Sequence, residues 1–182
     1  MVRESVKEEP IIGDGSESNL HTNGVKKVYE VEERTSYLIE EPKPVLSLKI
    51  FDQELRKGRK GLCITRETPK RLRNKYKWQG LPIIWLTNNN LETEHCIDPT
   101  NLSRLSIEIV NFIKESKNGI ILLEGLEYLI SQNSYHILLH FIQLINDKIM
   151  LSDSIILIPL DPKILTEREL HLLERDMKLY EV

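Results

Sequence analysis

The sequence contains few of the residues that build disulfide frameworks or metal sites. Its two cysteines, Cys63 and Cys96, are isolated and form no metal-binding spacing. Because disulfides are rare inside cells, two isolated cysteines predict reduced thiols in a cytoplasmic protein. His136 and His140 lie one helical turn apart, but Ile137 stands where the H-E-x-x-H motif needs its glutamate. We therefore expect no metal and no cofactor.

Long apolar runs are also missing. Every uninterrupted apolar stretch is far below the roughly 20 residues that a membrane-spanning helix needs. The charged start MVRESVKEEP lacks the apolar core of a secretory signal. The formal net charge of −3 gives no overall attraction to nucleic acids or membranes. These absences predict a cytoplasmic protein with no direct membrane insertion.

The length and composition fit one domain preceded by a tail. The chain has 182 residues, and 40% of them are hydrophobic, which is enough for a core. Residues 1–27 are rich in Gly, Ser, Asn and Glu and have no periodicity, which predicts a flexible tail. Residues 28–182 are expected to form a single domain.

Short apolar runs alternate with helical patterns through this domain. The predicted strands are Ser36–Ile39, Gly61–Arg66, Leu81–Thr87, Ile120–Leu123 and Ser154–Leu160. No Asn-Gly or Asp-Gly pair joins two of them as a hairpin. Crossovers of this length predict an α/β fold with a mainly parallel five-stranded sheet and helices on both faces.

Two of the predicted helices have distinctive sequences. The segment Ser134–Met150 is apolar on nearly all sides, which predicts deep burial or a partner on its second side. The last helix begins with Thr166 and Glu169 at capping-box spacing. We expect it to extend to about Tyr180.

Polar residues end or follow the strands, and a parallel sheet brings them to one edge. They are Arg66, Thr87, Glu124 and Asp161. Such a crevice could bind a metal–phosphate group or a polar ligand. The same residues could instead cap strands and helix N-termini as a structural set, which is the interpretation we favour. No catalytic residue is predicted.

A phosphate-binding loop is missing after the first strand. The motif G-x-x-x-x-G-K-[ST] is needed there, but the sequence reads EEPKPVLS and has no glycine. Its two prolines remove backbone N–H donors, and its two glutamates would repel phosphate. We interpret the segment as a degenerate phosphate loop made of Glu41, Pro42, Lys43 and Pro44.

A basic stretch lies between residues 56 and 77. Its members are Arg56, Lys57, Arg59, Lys60, Lys70, Arg71, Arg73, Lys75 and Lys77, with Tyr76 and Trp78 at its end. Basic and aromatic residues together can bind a phosphate backbone and stack on bases. Charge runs are more often a solvated face or a contact for an acidic protein. Nucleic-acid binding through this stretch is therefore the third of our function hypotheses.

Several segments together resemble the archaeal domain-of-unknown-function family 835. They are I-T-R-x-x-P at Ile64–Pro69, W-L-T at Trp85–Thr87, L-x-G-L-E-Y-L-I-x-x-N at Leu123–Asn133 and L-D-P…L-L-E-R from Leu160. That family is in turn similar to RecA/KaiC-like ATPases that have lost their nucleotide machinery. The resemblance implies a three-layer RecA/P-loop-like fold, and it puts Glu124 at the position of the magnesium-holding acid.

The resemblance also implies a role in signalling or assembly, because family members are often parts of sensor-like proteins. Our first hypothesis is a non-catalytic RecA-like module that binds a protein partner or a second copy of itself. The alternative is a divergent nucleotide or polar-ligand binder that uses Arg66, Glu124 and Asp161.

Overall fold

Strands and helices alternate along the computed structural model, which describes residues 28–89 and 91–181. The predicted tail, residues 1–27, lies outside these ranges. The strands are β1 Thr35–Glu40, β2 Lys60–Thr65, β3 Ile83–Leu86, β4 Cys96–Ile97, β5 Gly119–Leu123, β6 Ile155–Leu160 and β7 Lys178–Leu179. The helices are α1 Leu46–Arg56, α2 Pro69–Tyr76, α3 Leu102–Ser116, α4 Leu126–Gln132, α5 Tyr135–Met150 and α6 Glu167–Asp176, with a 3-10 turn at Pro162–Ile164.

The strands form a single sheet in the order β4-β3-β2-β5-β6-β1-β7. Each neighbouring pair is parallel. Because a parallel pair needs a crossover connection, helices cover the sheet on both faces. The predicted α/β class with a mainly parallel sheet is confirmed. The described residues contain seven strands rather than the five predicted.

The two additional strands lie at the edges of the sheet and are two residues long. Cys96–Ile97 pairs with Trp85 and Leu86, and Lys178–Leu179 pairs with Tyr37 and Leu38. Two residues are too few for an alternating pattern to reveal a strand. The predicted extension of the last helix to about Tyr180 is wrong, since the backbone becomes extended at Met177 and pairs with the open edge of β1.

The core consists of two apolar layers separated by the sheet. On one side, Ile121 and Leu123 of β5 pack with residues of α3, α4, α5 and α6. On the other side, Ile120 and Leu122 pack with α1 and α2. The whole of β5 is buried and lies between β2 and β6, as expected for a strand covered on both faces.

Helix α5 is buried along one side. Leu138, Phe141, Ile142, Ile145 and Ile149 point into the core. By contrast, the side chains of Ile137 and Leu144 are exposed to 57% and 38%. The apolar sequence of α5 thus serves the core on one side and leaves large hydrophobic side chains on the surface of the described chain.

Candidate functional site

The carboxyl ends of the parallel strands bring the predicted crevice residues to one edge of the sheet. Arg66 follows β2, Thr87 follows β3, Glu124 follows β5 and Asp161 follows β6. Since β2 and β5 are neighbours, Arg66 and Glu124 lie beside each other. Glu41 follows β1, which β6 separates from β5.

The Glu124 carboxylate joins the ends of β5 and β2. One of its oxygens, Oε2, accepts hydrogen bonds from the Thr65 hydroxyl and, at 3.2 Å, from the Arg66 backbone N–H. The next residue, Gly125, has a φ of 123°, and a β-carbon there would lie 3.2 Å from Leu86 Cδ1. The chain therefore turns sharply away after Glu124, while the carboxylate stays bound to the neighbouring strand.

The electrostatic environment of Glu124 favours its protonated form. Burial raises the pKa of this carboxyl above its ordinary value, and the hydrogen bonds from Thr65 and Arg66 oppose the shift. The nearby carboxylates of Glu127 and Glu67 raise the pKa further. A raised pKa is a property of many catalytic acids. The Glu124 carboxyl, however, is already hydrogen-bonded to Thr65 and Arg66, which is also typical of a structural residue.

Arg66 does not use its guanidinium to pair with Glu124. The Nη1 atom donates a hydrogen bond to the Leu86 carbonyl at 2.9 Å. The guanidinium also lies 4.3 Å from the centroid of the Tyr128 ring, on α4. The Trp85 indole N–H donates to the Arg66 carbonyl at 3.1 Å. Arg66 therefore connects the ends of β2 and β3 to α4.

Thr87 and Asp161 cap two separate loops. The Thr87 hydroxyl accepts a hydrogen bond from the Asn89 N–H at 3.1 Å. Asp161 accepts one from the Lys163 N–H at the start of the 3-10 turn, and its own N–H donates to Glu127 Oε1, both at 3.1 Å. The hydrogen bonds thus bring Arg66 and Glu124 together and engage Thr87 and Asp161 elsewhere.

The Glu41 carboxylate occupies the beginning of α1. It accepts hydrogen bonds from the backbone N–H groups of Val45, Leu46 and Ser47 at 2.9, 2.7 and 3.1 Å. The first N–H groups of a helix have no partner within the helix, and together they form an anion-binding site. Glu41 is itself buried, with 9% of its surface exposed. The protein therefore supplies its own anion where a phosphate would bind.

The sequence interpretation of Glu41 was incomplete. The sequence predicts only that the Glu41 charge repels phosphate, whereas in the structure its carboxylate accepts hydrogen bonds from the N–H groups at the start of α1. The N-cap residue of α1 is Val45, which has no side-chain acceptor. The sequence therefore contained one indication of this role: a helix without a polar N-cap residue needs an acceptor from elsewhere in the chain.

A protein-family model matches residues 39–177, and its description is "Protein of unknown function (DUF835)". The chain belongs to this family. The match begins near the end of β1 and ends just before β7, so the DUF835 region contains Glu41, Arg66, Thr87, Glu124 and Asp161. A search of curated proteins finds no match to the chain.

Most of the basic stretch in the DUF835 region is neutralised by ion pairs. The pairs are Arg56–Asp52, Lys57–Glu54, Arg59–Glu54, Arg59–Glu33, Arg71–Glu67 and Arg73–Glu94, with N–O distances from 2.6 to 3.1 Å. Lys75 lies over the Tyr76 ring. Most of these acids lie outside residues 56–77, so the local charge count overestimated the positive potential. Within the described ranges, Lys60, Lys70 and Lys77 form no ion pair.

Neither metal ligation nor a membrane span is found in the part of the chain that the structure describes. That part contains no group of three or more His, Cys, Asp or Glu residues able to hold a metal ion. His136 and His140 are both exposed on α5. Cys63 and Cys96 are free, on strands separated by β3. None of the described helices is long and apolar enough to cross a membrane.

Replacing Glu41 tests its role at the start of α1. Glu41→Ala leaves the N–H groups of Leu46 and Ser47 without an acceptor and the Val45 N–H with only the Lys43 carbonyl at 2.7 Å. We therefore expect the free energy of unfolding to fall by about 2 kcal/mol. Urea unfolding followed by circular dichroism measures this loss. Glu40→Ala removes the exposed carboxylate one position earlier and should change stability by less than about 0.5 kcal/mol. Equal losses from the two variants would contradict the assignment.

The raised pKa of Glu124 predicts a pH-dependent stability difference. The folded protein holds the Glu124 proton more tightly than the unfolded chain does. The protonated carboxyl therefore makes its full contribution to the free energy of unfolding at pH values below the unfolded pKa. It is lost as pH rises through the folded pKa. The stability of Glu124→Gln relative to wild type should therefore increase as pH rises from the unfolded pKa, about 4.3, through the higher folded pKa. Urea titrations across that range measure the difference, and a constant or decreasing value would refute the expectation.

Proposed function

We propose that this DUF835 chain is a non-catalytic protein-interaction module. The observation that carries the proposal is the Glu41 carboxylate at the start of α1. A nucleotide phosphate at that position would have to displace a buried, covalently attached anion that already has three N–H partners. The sequence resemblance implies a degenerate RecA-like module with a signalling or regulatory role, and the composition of the sequence predicts a cytoplasmic location.

Hydrogen bonds within the protein at the rest of this edge support the same proposal. Glu124 binds the end of β2, and the Arg66 guanidinium binds the Leu86 carbonyl and the Tyr128 ring. A substrate would have to replace these contacts before it could use either side chain. We therefore propose that the carboxyl edge of the sheet stabilises the fold and that the interaction surface lies on the helices.

The outer side of the α3–α5 pair is the interaction surface that we propose. We call it the α3–α5 face and define it by Ile107, Ile137 and Leu144, which are exposed to 60%, 57% and 38%. Both helices lead into neighbouring parallel strands on the same side of the sheet, so they run in the same direction. The distance of Ile107 from the C-terminal end of α3, in residues, is between the distances of Leu144 and Ile137 from the C-terminal end of α5. Large exposed apolar side chains on two helices that pack together are typical of protein contact sites.

A second copy of the chain is the partner to test first, because one apolar face can bury its counterpart in a twofold dimer. Sedimentation velocity of the wild-type chain should show dimers whose fraction rises with concentration. Leu144→Glu should shift the equilibrium to monomer, since a charge would be buried at the contact. Ile164→Glu, at a residue that is exposed to 45% and belongs to the 3-10 turn instead of α3 or α5, is the matched control and should not affect association. A wild-type chain that remains monomeric would contradict the proposal.

Calorimetry separates this function from nucleotide binding. ATP, ADP and cyclic nucleotides at millimolar concentration, with and without Mg²⁺, should give no binding heat. Saturable heat that disappears in Glu124→Ala would instead support the alternative of a divergent nucleotide binder. Since the dimer measurement involves no nucleotide, the two experiments can fail independently.

A further inference from the structure

A cavity of about 760 Å³ lies at the amino-terminal edge of the sheet, on the opposite side of the molecule from Glu124. We call it the amino-edge cavity. Its walls come from the end of α1, the start of β2, the segment of residues 76–82 and the end of α3. The volume is within the range of small-molecule sites, about 300–1,000 Å³. None of the candidate residues at the carboxyl edge of the sheet lines this cavity.

One wall of the amino-edge cavity is apolar and held in position by other side chains. Trp78 stacks on Tyr76 with ring centroids 4.7 Å apart, and it meets the edge of Phe51 at 5.3 Å. Its indole N–H donates to Asp52 at 3.1 Å. These contacts fix the Trp78 ring before any ligand arrives, which reduces the entropy cost of binding.

Leucine and phenylalanine side chains form the rest of the apolar lining. Leu55, Leu81 and Phe112 all contribute to it. Leu55 and Leu81 close tightly over the backbone of Gly61, because a β-carbon there would overlap Leu55 and lie 2.7 Å from Leu81 Cδ1. A flat apolar group suits a slot built from aromatic rings and branched aliphatic side chains.

An unpartnered hydroxyl lies within the same lining. Ser116 is 4% exposed, and its Oγ has no hydrogen-bond partner among the described residues. Buried polar atoms in folded proteins are normally hydrogen-bonded. The Ser116 Oγ faces Gly119, because a β-carbon there would lie 2.5 Å from it, so Ser116 contributes to the cavity wall and not to polar recognition of a ligand.

The charges at the amino-edge cavity favour an anion. Arg56 is paired with Asp52, and Arg59 is paired with Glu54 and Glu33. The lining also contains Lys60 and Lys77, which form no ion pair within the described ranges, and a single exposed carboxylate from Glu115. Two ammonium groups against one carboxylate leave a local excess of positive charge.

We propose that the amino-edge cavity binds a small amphipathic anion with a planar apolar body. The body contacts the wall made by Leu55, Leu81, Phe112 and Trp78, and the anionic group binds Lys60 and Lys77. A nucleic acid is a weaker fit, because most cations of the surrounding basic stretch are already paired with acids of the protein.

Titration with 2-naphthoate, observed by NMR of the indole N–H groups, tests the proposal. The chain has two tryptophans, and Trp85→Phe identifies which of the two signals belongs to Trp78. The Trp78 signal should shift saturably, while the Trp85 signal, from the other end of β3, should stay in place. The neutral analogue 2-naphthamide should bind about fivefold more weakly, because it lacks the charge that the lysines attract. Equal shifts of both indole signals, or equal affinity for the two probes, would overturn the proposal.

Lysine variants complete the test. The double variant Lys60→Gln, Lys77→Gln should weaken 2-naphthoate binding about fivefold and leave 2-naphthamide unaffected. Lys70→Gln removes another lysine without an ion pair, on α2 but outside the cavity lining, and should have no effect. Unchanged 2-naphthoate affinity in the double variant would refute the anion site. So would a Trp78 shift with single-stranded DNA but none with 2-naphthoate.

Discussion

The N–H groups at the start of α1 need an acceptor, and the Glu41 carboxylate provides it. Val45, at the N-cap position, has no polar side chain, so the helix cannot cap itself. Glu41 reaches it from the end of β1 and fixes the angle at which the chain passes from sheet to helix. Because α1 contributes Leu48, Ile50 and Phe51 to one apolar layer, this carboxylate also helps to position that layer against the sheet.

The same interaction is the basis of our proposal that the carboxyl edge of the sheet is not a ligand site. In parallel α/β sheets the carboxyl edge is the usual ligand site, because helix N-termini and strand ends meet there. Here Glu41 occupies one such helix start, and Glu124, two strands away along the same edge, bonds to Thr65 and Arg66. With its acids and donors satisfied by one another, this edge contributes to stability. The surfaces that we propose for recognition are the α3–α5 face and the amino-edge cavity.

The basic stretch illustrates how tertiary contacts change the meaning of a local pattern. Along the sequence, residues 56–77 are strongly cationic. In the fold, Arg59 meets Glu54 and Glu33, and Arg73 meets Glu94, so acids from other segments neutralise the charge. Lys60 and Lys77, which form no ion pair among the described residues, line the amino-edge cavity instead of an extended positive surface. The chemistry that remains suits a small anion better than a nucleic-acid backbone.

The sequence by itself determined the α/β class, the parallel pairing and the central place of β5, because runs such as Ile120–Leu123 are apolar on both faces and alternate with helical segments. It also showed that the phosphate-loop glycines are absent. Tertiary structure alone decided the two short edge strands, which depend on unpaired backbone groups of their neighbours. It also decided the roles of Glu41 and Glu124, whose hydrogen-bond partners become accessible only when strand ends and helix starts meet. Periodicity reports which face of an element is buried, but it contains no information about which polar groups will meet across the fold.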